Sequence, residues 1–125
     1  MKILVYHRDA EIYHRMIHER FPDMEIVAVK EKDLHPQQIA DADILLANHF
    51  PSIFFKEAKR LRWVQSSSAG VDQLLGVREY LSGVVVTNTR GIHRQLMADF
   101  AFGAMTMLPN SVAGKYSPKR DRSVP

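Results

Sequence analysis

From Ile3 to Leu108 short apolar runs alternate with amphipathic stretches, and no other feature constrains the chain as much. This is the pattern of βα units wound around a parallel sheet. Ile3-Leu4-Val5-Tyr6 reads as a continuous apolar strand, as expected where both faces are covered. Asp9 is placed to cap a helix in which Ile12, Met16, Ile17 and Phe21 recur at helical spacing, and Pro22 stops it. Glu25–Val29 is a second, more edge-like strand flanked by charge. Pro36–Ala40 is a short helix with Pro in its first turn, and Asp43–Ala47 a third strand. Pro51–Arg60 reads as a helix, Leu61–Gln65 as the fourth strand and Val84–Thr87 as the fifth.

Five strands with intervening helices predict an α/β fold, a flavodoxin-like doubly wound five-stranded parallel sheet in the order 2-1-3-4-5. Ligands of such sheets lie beyond the carboxyl ends of the strands. The rule selects His7-Arg8, Lys30-Glu31, Asn48-His49-Phe50, Ser66-Ser67-Ser68-Ala69-Gly70 and Asn88-Thr89-Arg90-Gly91. The loop after the fourth strand stands out. Its small residues leave backbone N–H groups accessible, and Val71–Leu75 reads as the start of a helix whose free amides face the loop. That combination suits a carboxylate or a phosphate.

The last periodic segment differs in kind. Leu96, Met97, Phe100, Ala101, Ala104, Met105 and Leu108 share one helical face, yet Ala98, Phe102 and Met107 lie off it. A long C-terminal helix over 93–108, apolar nearly all round, needs a second body, either another domain or another chain. Past Pro109 the periodicity stops, and residues 109–125 read as an off-pattern, disordered basic tail.

The 125 residues contain no Cys, which excludes a disulfide scaffold, thiolate zinc and cysteine nucleophiles. The net charge of +3 hints at nucleic acid until it is located. Lys115, Lys119, Arg120 and Arg122 against Asp121 carry all of it, so residues 1–109 are neutral and no nucleic-acid partner is expected. The opening apolar run is too short for a signal peptide and no stretch is long enough for a membrane span, which predicts a cytoplasmic protein with no membrane partner.

Leu61–Asp72, then Val84–His93, then Met97-Ala98-Asp99-Phe100 resemble, in order and spacing, the substrate-domain portion of the D-isomer-specific 2-hydroxyacid dehydrogenases. The resemblance covers most of residues 1–108, although the first 60 match only in their alternation. It implies two doubly wound domains facing each other across a cleft, with the carboxylate of a small 2-oxo or 2-hydroxy acid held by the amides of Ser68, Ala69, Gly70 and Val71. Asn48 and His49, at a neighbouring strand end, are expected to contact the same substrate. Residues 93–108 would be the connector to the NAD(P)-binding domain and a homodimer contact. The cofactor fingerprint G-x-G-x-x-G is absent from the spacing of the six glycines. The catalytic Arg, acid and His of the family are also unmatched, and Asp99 stands where the family usually has Glu. The expectation is therefore a truncated substrate domain that binds no cofactor alone and is inactive alone.

Other readings carry less. No G-x-S-x-G elbow surrounds Ser66-Ser67-Ser68, so amide donors in a polar turn are preferred to a serine nucleophile. His14 and His18 are four residues apart but lack the H-E-x-x-H pattern, and a solvated helix face is preferred to a metal site. His7 and His49 both end strands and are expected to converge near the cleft. Arg90 reads as an anion contact or a hinge, Asp72 as a brace for its own turn, and Trp63 and the Met residues as core. A phosphoacceptor domain would need acidic residues where His7-Arg8 and Asn48-His49 stand. The remaining alternative is a non-catalytic interaction or small-anion-binding module that dimerises through its C-terminal helix.

Overall fold

The computed structural model describes residues 1–107; Leu108 and the 109–125 segment lie outside the described residues. Two compact units divide the chain, residues 1–90 and the part from Gly91 onward.

The first unit is built on five parallel strands, β1 (Lys2–Tyr6), β2 (Glu25–Val29), β3 (Ile44–Ala47), β4 (Trp63–Ser66) and β5 (Val85–Thr87), in the order 2-1-3-4-5. Register is in step across the sheet: Leu4 lies opposite Val27 and Leu45, Leu45 opposite Val64, and Val64 opposite Val86. Successive side chains of a strand point to opposite faces. Leu4, Tyr6, Leu45, Ala47 and Val64 therefore enter the larger core with Ile39, Phe50, Phe55, Leu61, Leu74 and Val77. Ile3, Val5 and Ile44 enter a smaller one with Ala10, Tyr13 and Ile17.

Asp43 ties the amino ends of three strands together. Its Oδ2 accepts the Lys2 N–H at 2.8 Å, its own N–H donates to the Lys2 carbonyl, and its carbonyl accepts the Arg62 N–H. Arg60 Nη2 adds a contact to Oδ1 at 3.2 Å. The Lys2 amide, foremost, and the Arg60 charge hold the Asp43 carboxyl below the usual aspartate value, against the opposing effect of desolvation.

Several expectations are corrected. The helix α1 spans Ala10–Arg20, but it packs through Ala10, Tyr13 and Ile17, while Ile12 and Met16 are exposed. The i, i+3, i+7 stripe competes with the more apolar one and wins because it is the stripe that faces Val5. Asp9 occupies the cap position without a side-chain capping bond. The short helix α2 (Pro36–Ala40) forms as expected and starts with a capping box between His35 and Gln38. Pro51–Arg60 is not an α-helix. It is a 3-10 segment over Ser52–Glu57, a tight turn that drives Phe55 into the core. The helix expected from Val71 is also 3-10, running Asp72–Leu81 with a break at Val77. The turn into β5 needs Gly83, whose φ of +75° is a conformation that residues with a Cβ rarely adopt.

Met1, Met16, Met97, Met105 and Met107 are exposed rather than core, and Trp63 is not core either: it is 39% exposed, its Nε1 donating to Thr87 Oγ1 at 2.7 Å. The reason lies in the layers. On the Trp63 face α1 packs on β1 and β2, and the sheet surface beyond it is an open apolar groove of about 430 Å³ lined by Met1, Ile3, Phe21, Ile44, Leu46 and Trp63, among others.

In the second unit, helix α3 spans Arg94–Met107 and begins after Gly91, whose φ is +97°. None of its residues is buried; Leu96, Met97, Phe100, Phe102 and Met105 are all exposed. Gln95 Nε2 donates to Asp99 Oδ1 across one turn at 2.9 Å.

Candidate functional site

The order 2-1-3-4-5 makes the gap between β1 and β3 the point where the winding direction reverses, the place where doubly wound sheets open a crevice. A cavity of about 220 Å³ lies there, lined by Tyr6, His7 and Arg8 from the end of β1 and by Asn48 and His49 from the end of β3. His7 and His49 thus converge, as their strand-end positions predicted. His7 Nδ1 accepts the Asp9 N–H at 3.1 Å, so the proton of the neutral ring belongs on Nε2. Its ring is wedged edge-on to Tyr13 at 5.0 Å. Behind the cavity Phe50 contacts Tyr6 at 5.2 Å and Phe55 at 5.1 Å, both near-perpendicular pairs that fix the loop after β3 from below.

One strand further along, the loop after β4 is held by its carbonyls. Thr89 Oγ1 donates to the Ser67 carbonyl at 3.0 Å, the Thr89 N–H to that of Ser68 at 3.2 Å and Asn88 Nδ2 to that of Ala69 at 2.8 Å. Ser66 Oγ reaches the Gly70 carbonyl at 3.4 Å. Because a trans peptide points its C=O and the following N–H in opposite directions, these four anchors turn the N–H groups of Ser68, Ala69, Gly70 and Val71 away from them. Two of the four are engaged locally, Ser68 N–H with Ser66 Oγ at 3.2 Å and Gly70 N–H with Ser68 Oγ at 3.3 Å. Ala69 and Val71 keep theirs uncommitted among the described residues. An Asp72 carboxylate oxygen is 3.5 Å from where a Gly70 Cβ would stand, which sets a negative charge beside the loop.

Sequence reasoning named Asn48, His49, Ser68, Ala69, Gly70 and Val71. The structure places the first two on the cavity wall and the other four on the adjacent loop, and Gln73 Nε2 links the two groups by donating to the Asn48 carbonyl at 3.1 Å. Gln73 was missed, and Arg8, although in a selected strand-end loop, was given no role. Arg8 was legible as a residue following the switch-point strand; no sequence signal marks Gln73. His14 and His18 stack with ring centroids 5.9 Å apart on α1. Among the described residues no three metal-ligating side chains cluster, and no helix is long and apolar enough to cross a membrane.

No protein-family profile matches the chain. It is 29% identical over 109 residues to erythronate-4-phosphate dehydrogenase of Shewanella violacea, an alignment covering 82% of this chain and 28% of that protein. The same-named protein of Shewanella oneidensis is 30% identical over 87 residues, covering 67% and 23%. Among solved structures, a D-isomer specific 2-hydroxyacid dehydrogenase family protein from Aeromonas salmonicida superposes with a TM-score of 0.71 at 29% identity, over 86% of this chain and 35% of that one. The chain therefore spans about a quarter of the length of the curated relatives it matches. Fold and relatives together define a dehydrogenase-like α/β domain. These relatives and structural neighbours support the D-isomer-specific 2-hydroxyacid dehydrogenase family.

Proposed function

We propose that residues 1–108 form the substrate-binding domain of an NAD(P)-dependent D-2-hydroxyacid dehydrogenase, which interconverts 2-hydroxy and 2-oxo acids in the cytoplasm. The observation that carries this reading is the loop after β4, whose four carbonyls are tied back so that its amides face outward beside Asn48 and His49. In this role Ala69 and Val71 donate to the substrate carboxylate, Ser68 and Gly70 add theirs when their weak local bonds yield, and Asn48 and His49 contact the other end of a small acid. Residues 93–108 serve as connector and dimer contact.

NAD(P), which the family resemblance implies, supplies or accepts the hydride. The residues present do not fit it, since no G-x-G-x-x-G occurs among them. What these residues do is bind and orient the acid. The alternative, a non-catalytic anion-binding or interaction module dimerising through α3, shares the fold and draws support from the exposure of every large apolar residue on that helix.

Amide chemical-shift titration of the 125-residue chain with glyoxylate or oxamate tests the reading. Two uncommitted amides, opposed by Asp72 and without a charged partner from the chain, give dissociation constants on the order of 1 mM or weaker. Ala69 and Val71 should move first and most, and the chain alone should not oxidise NADH with these acids. Shifts confined to residues 115–122 refute carboxylate binding by the loop. Turnover by the chain alone refutes its inactivity.

A further inference from the structure

We infer that α3 of one chain lies in the apolar groove beside α1 of a second copy, and that two copies exchange these helices reciprocally about a two-fold axis. The inference rests on the reading of α3 as a dimer contact and adds to it the surface that receives the helix.

The winding of the sheet leaves that surface bare. Parallel crossovers are right-handed, so the β1-to-β2 connection, which carries α1, and the connections from β2 through to β5, which run the other way, fall on opposite faces. Ile39, Phe55, Leu74 and Val77 of those later connections accordingly join Leu4, Leu45 and Val64 in the larger core. On the α1 face no crossover is left to cover β3, β4 and β5. These three strands span two spacings, about 10 Å, which is the width of one helix.

Both surfaces are prepared for burial. Along the bare half of the sheet, where Trp63 lies opposite Val85 and Gln65 opposite Thr87, the polar groups answer one another. Trp63 Nε1 donates to Thr87 Oγ1 at 2.7 Å, that hydroxyl to Gln65 Oε1 at 2.6 Å, and Gln65 Nε2 to the Ser66 carbonyl at 2.8 Å. An apolar body laid over them strands none of these donors. No charged side chain lines the groove. On α3, Gln95 is bonded to Asp99, and Thr106 Oγ1 donates to the Gly103 carbonyl at 2.9 Å. At about 100° per residue these three share one side of the helix, and Leu96, Met97, Phe100, Ala104 and Met107 share another, centred on Phe100. The four large side chains of that second group are all exposed.

Area selects exchange between copies. Four large apolar side chains at roughly 100 Å² each, matched by the groove wall, remove about 800 Å² from water. One such contact is no larger than a crystal-packing patch, whereas the reciprocal pair removes about 1,600 Å², the standard area of a stable interface. Within one chain the groove is open and no residue of α3 is buried, so each copy brings both halves and two-fold symmetry uses both.

The test follows the full 125-residue chain through a dilution series by sedimentation and by the emission of Trp63, the sole tryptophan and part of the groove wall. The mass should pass from one chain to two with a dissociation constant on the order of 10 μM, the dilute monomer keeping its groove open, and Trp63 emission should move to the blue in step. Phe21→Glu on the groove wall and Phe100→Glu on the helix each put a charge at an exposed position. Both variants should therefore keep the parent's circular dichroism and melting temperature as dilute monomers, and each should raise the dissociation constant at least tenfold. Mixed together they should associate more tightly than either does alone, because one intact groove then meets one intact helix. A dimer that Phe100→Glu breaks and Phe21→Glu does not, with unchanged Trp63 emission, means that helix pairs with helix; it overturns the inference and leaves the reading of α3 as a dimer contact standing. A monomer whose blue emission is turned red by Phe100→Glu means that each chain's own helix fills its groove, and it overturns the exchange. A monomer at every concentration, with Trp63 indifferent to both substitutions, overturns the inference and the dimer contact together.

Discussion

Replacing Phe55 by Ala tests whether the 3-10 segment Ser52–Glu57 is what closes the larger core over the cavity wall. Phe55 is 2% exposed and meets Phe50 edge-on at 5.1 Å, and Phe50 in turn meets Tyr6. A buried phenylalanine removes ~150–250 Å² from water, which at ~25 cal/mol per Å² is about 4–6 kcal/mol as an upper bound. Alanine keeps part of that and the vacated space relaxes, so the expected loss is about 3–5 kcal/mol. For a domain of this size that is roughly 12–20 °C in Tm. The edge-on pair adds about 0.5–1.5 kcal/mol of coupling beyond burial, readable in a double-mutant cycle with Phe50→Leu and Phe55→Leu. Urea unfolding followed by circular dichroism gives the single-substitution values. A loss under about 1 kcal/mol for Phe55→Ala, with no coupling to Phe50, would refute the packing argument, since only a side chain already in water is that cheap to remove.

Two further outcomes follow from the polar groups. Ser67 Oγ is buried without a hydrogen-bond partner, so Ser67→Ala should be neutral or raise stability by up to about 1–2 kcal/mol in the same urea assay, where loss of a satisfied hydroxyl would lower it. The Asp43 carboxyl is depressed in the folded state, so its contribution is full above the unfolded value near ~3.9 and is lost as pH falls through the lower folded value. Thermal melts of Asp43→Asn should therefore lie furthest below the parent near neutrality and approach it as pH drops below about 4; a gap that stays constant to pH 2 would show that the carboxylate charge does not matter.

The sheet was legible because its strands are short, apolar and separated by stretches long enough only for crossovers; that geometry allows few orders, and the observed one is the commonest for five strands. Helical type was less legible. Pro51–Arg60 has the length of a helix, but Ile53, Phe54 and Phe55 are poor helix formers, and the tighter 3-10 turn is what lets Phe55 reach Phe50. Which face α1 buries was ambiguous for the same reason: two apolar stripes lie on one helix and only tertiary contact chooses between them. At the site, strand ends were legible from the winding rule, and with them Asn48, His49 and the loop after β4. The direction of the loop's amides was not, because it is imposed by Asn88 and Thr89, some twenty residues away, acting on carbonyls that any sequence would possess.

The apolar groove beside α1 changes how the protein must be followed in solution. Dyes such as anilinonaphthalene sulfonate brighten on apolar surface, and that brightening is commonly read as the mark of a loosened, molten state. Here the fully folded chain offers a ready berth of about 430 Å³, with the sole tryptophan, Trp63, in its wall. Dye fluorescence, and its excitation through Trp63, will therefore be a signature of the native protein that fades on denaturation, and loss of tertiary order has to be judged by near-ultraviolet dichroism or by dispersion of the amide signals.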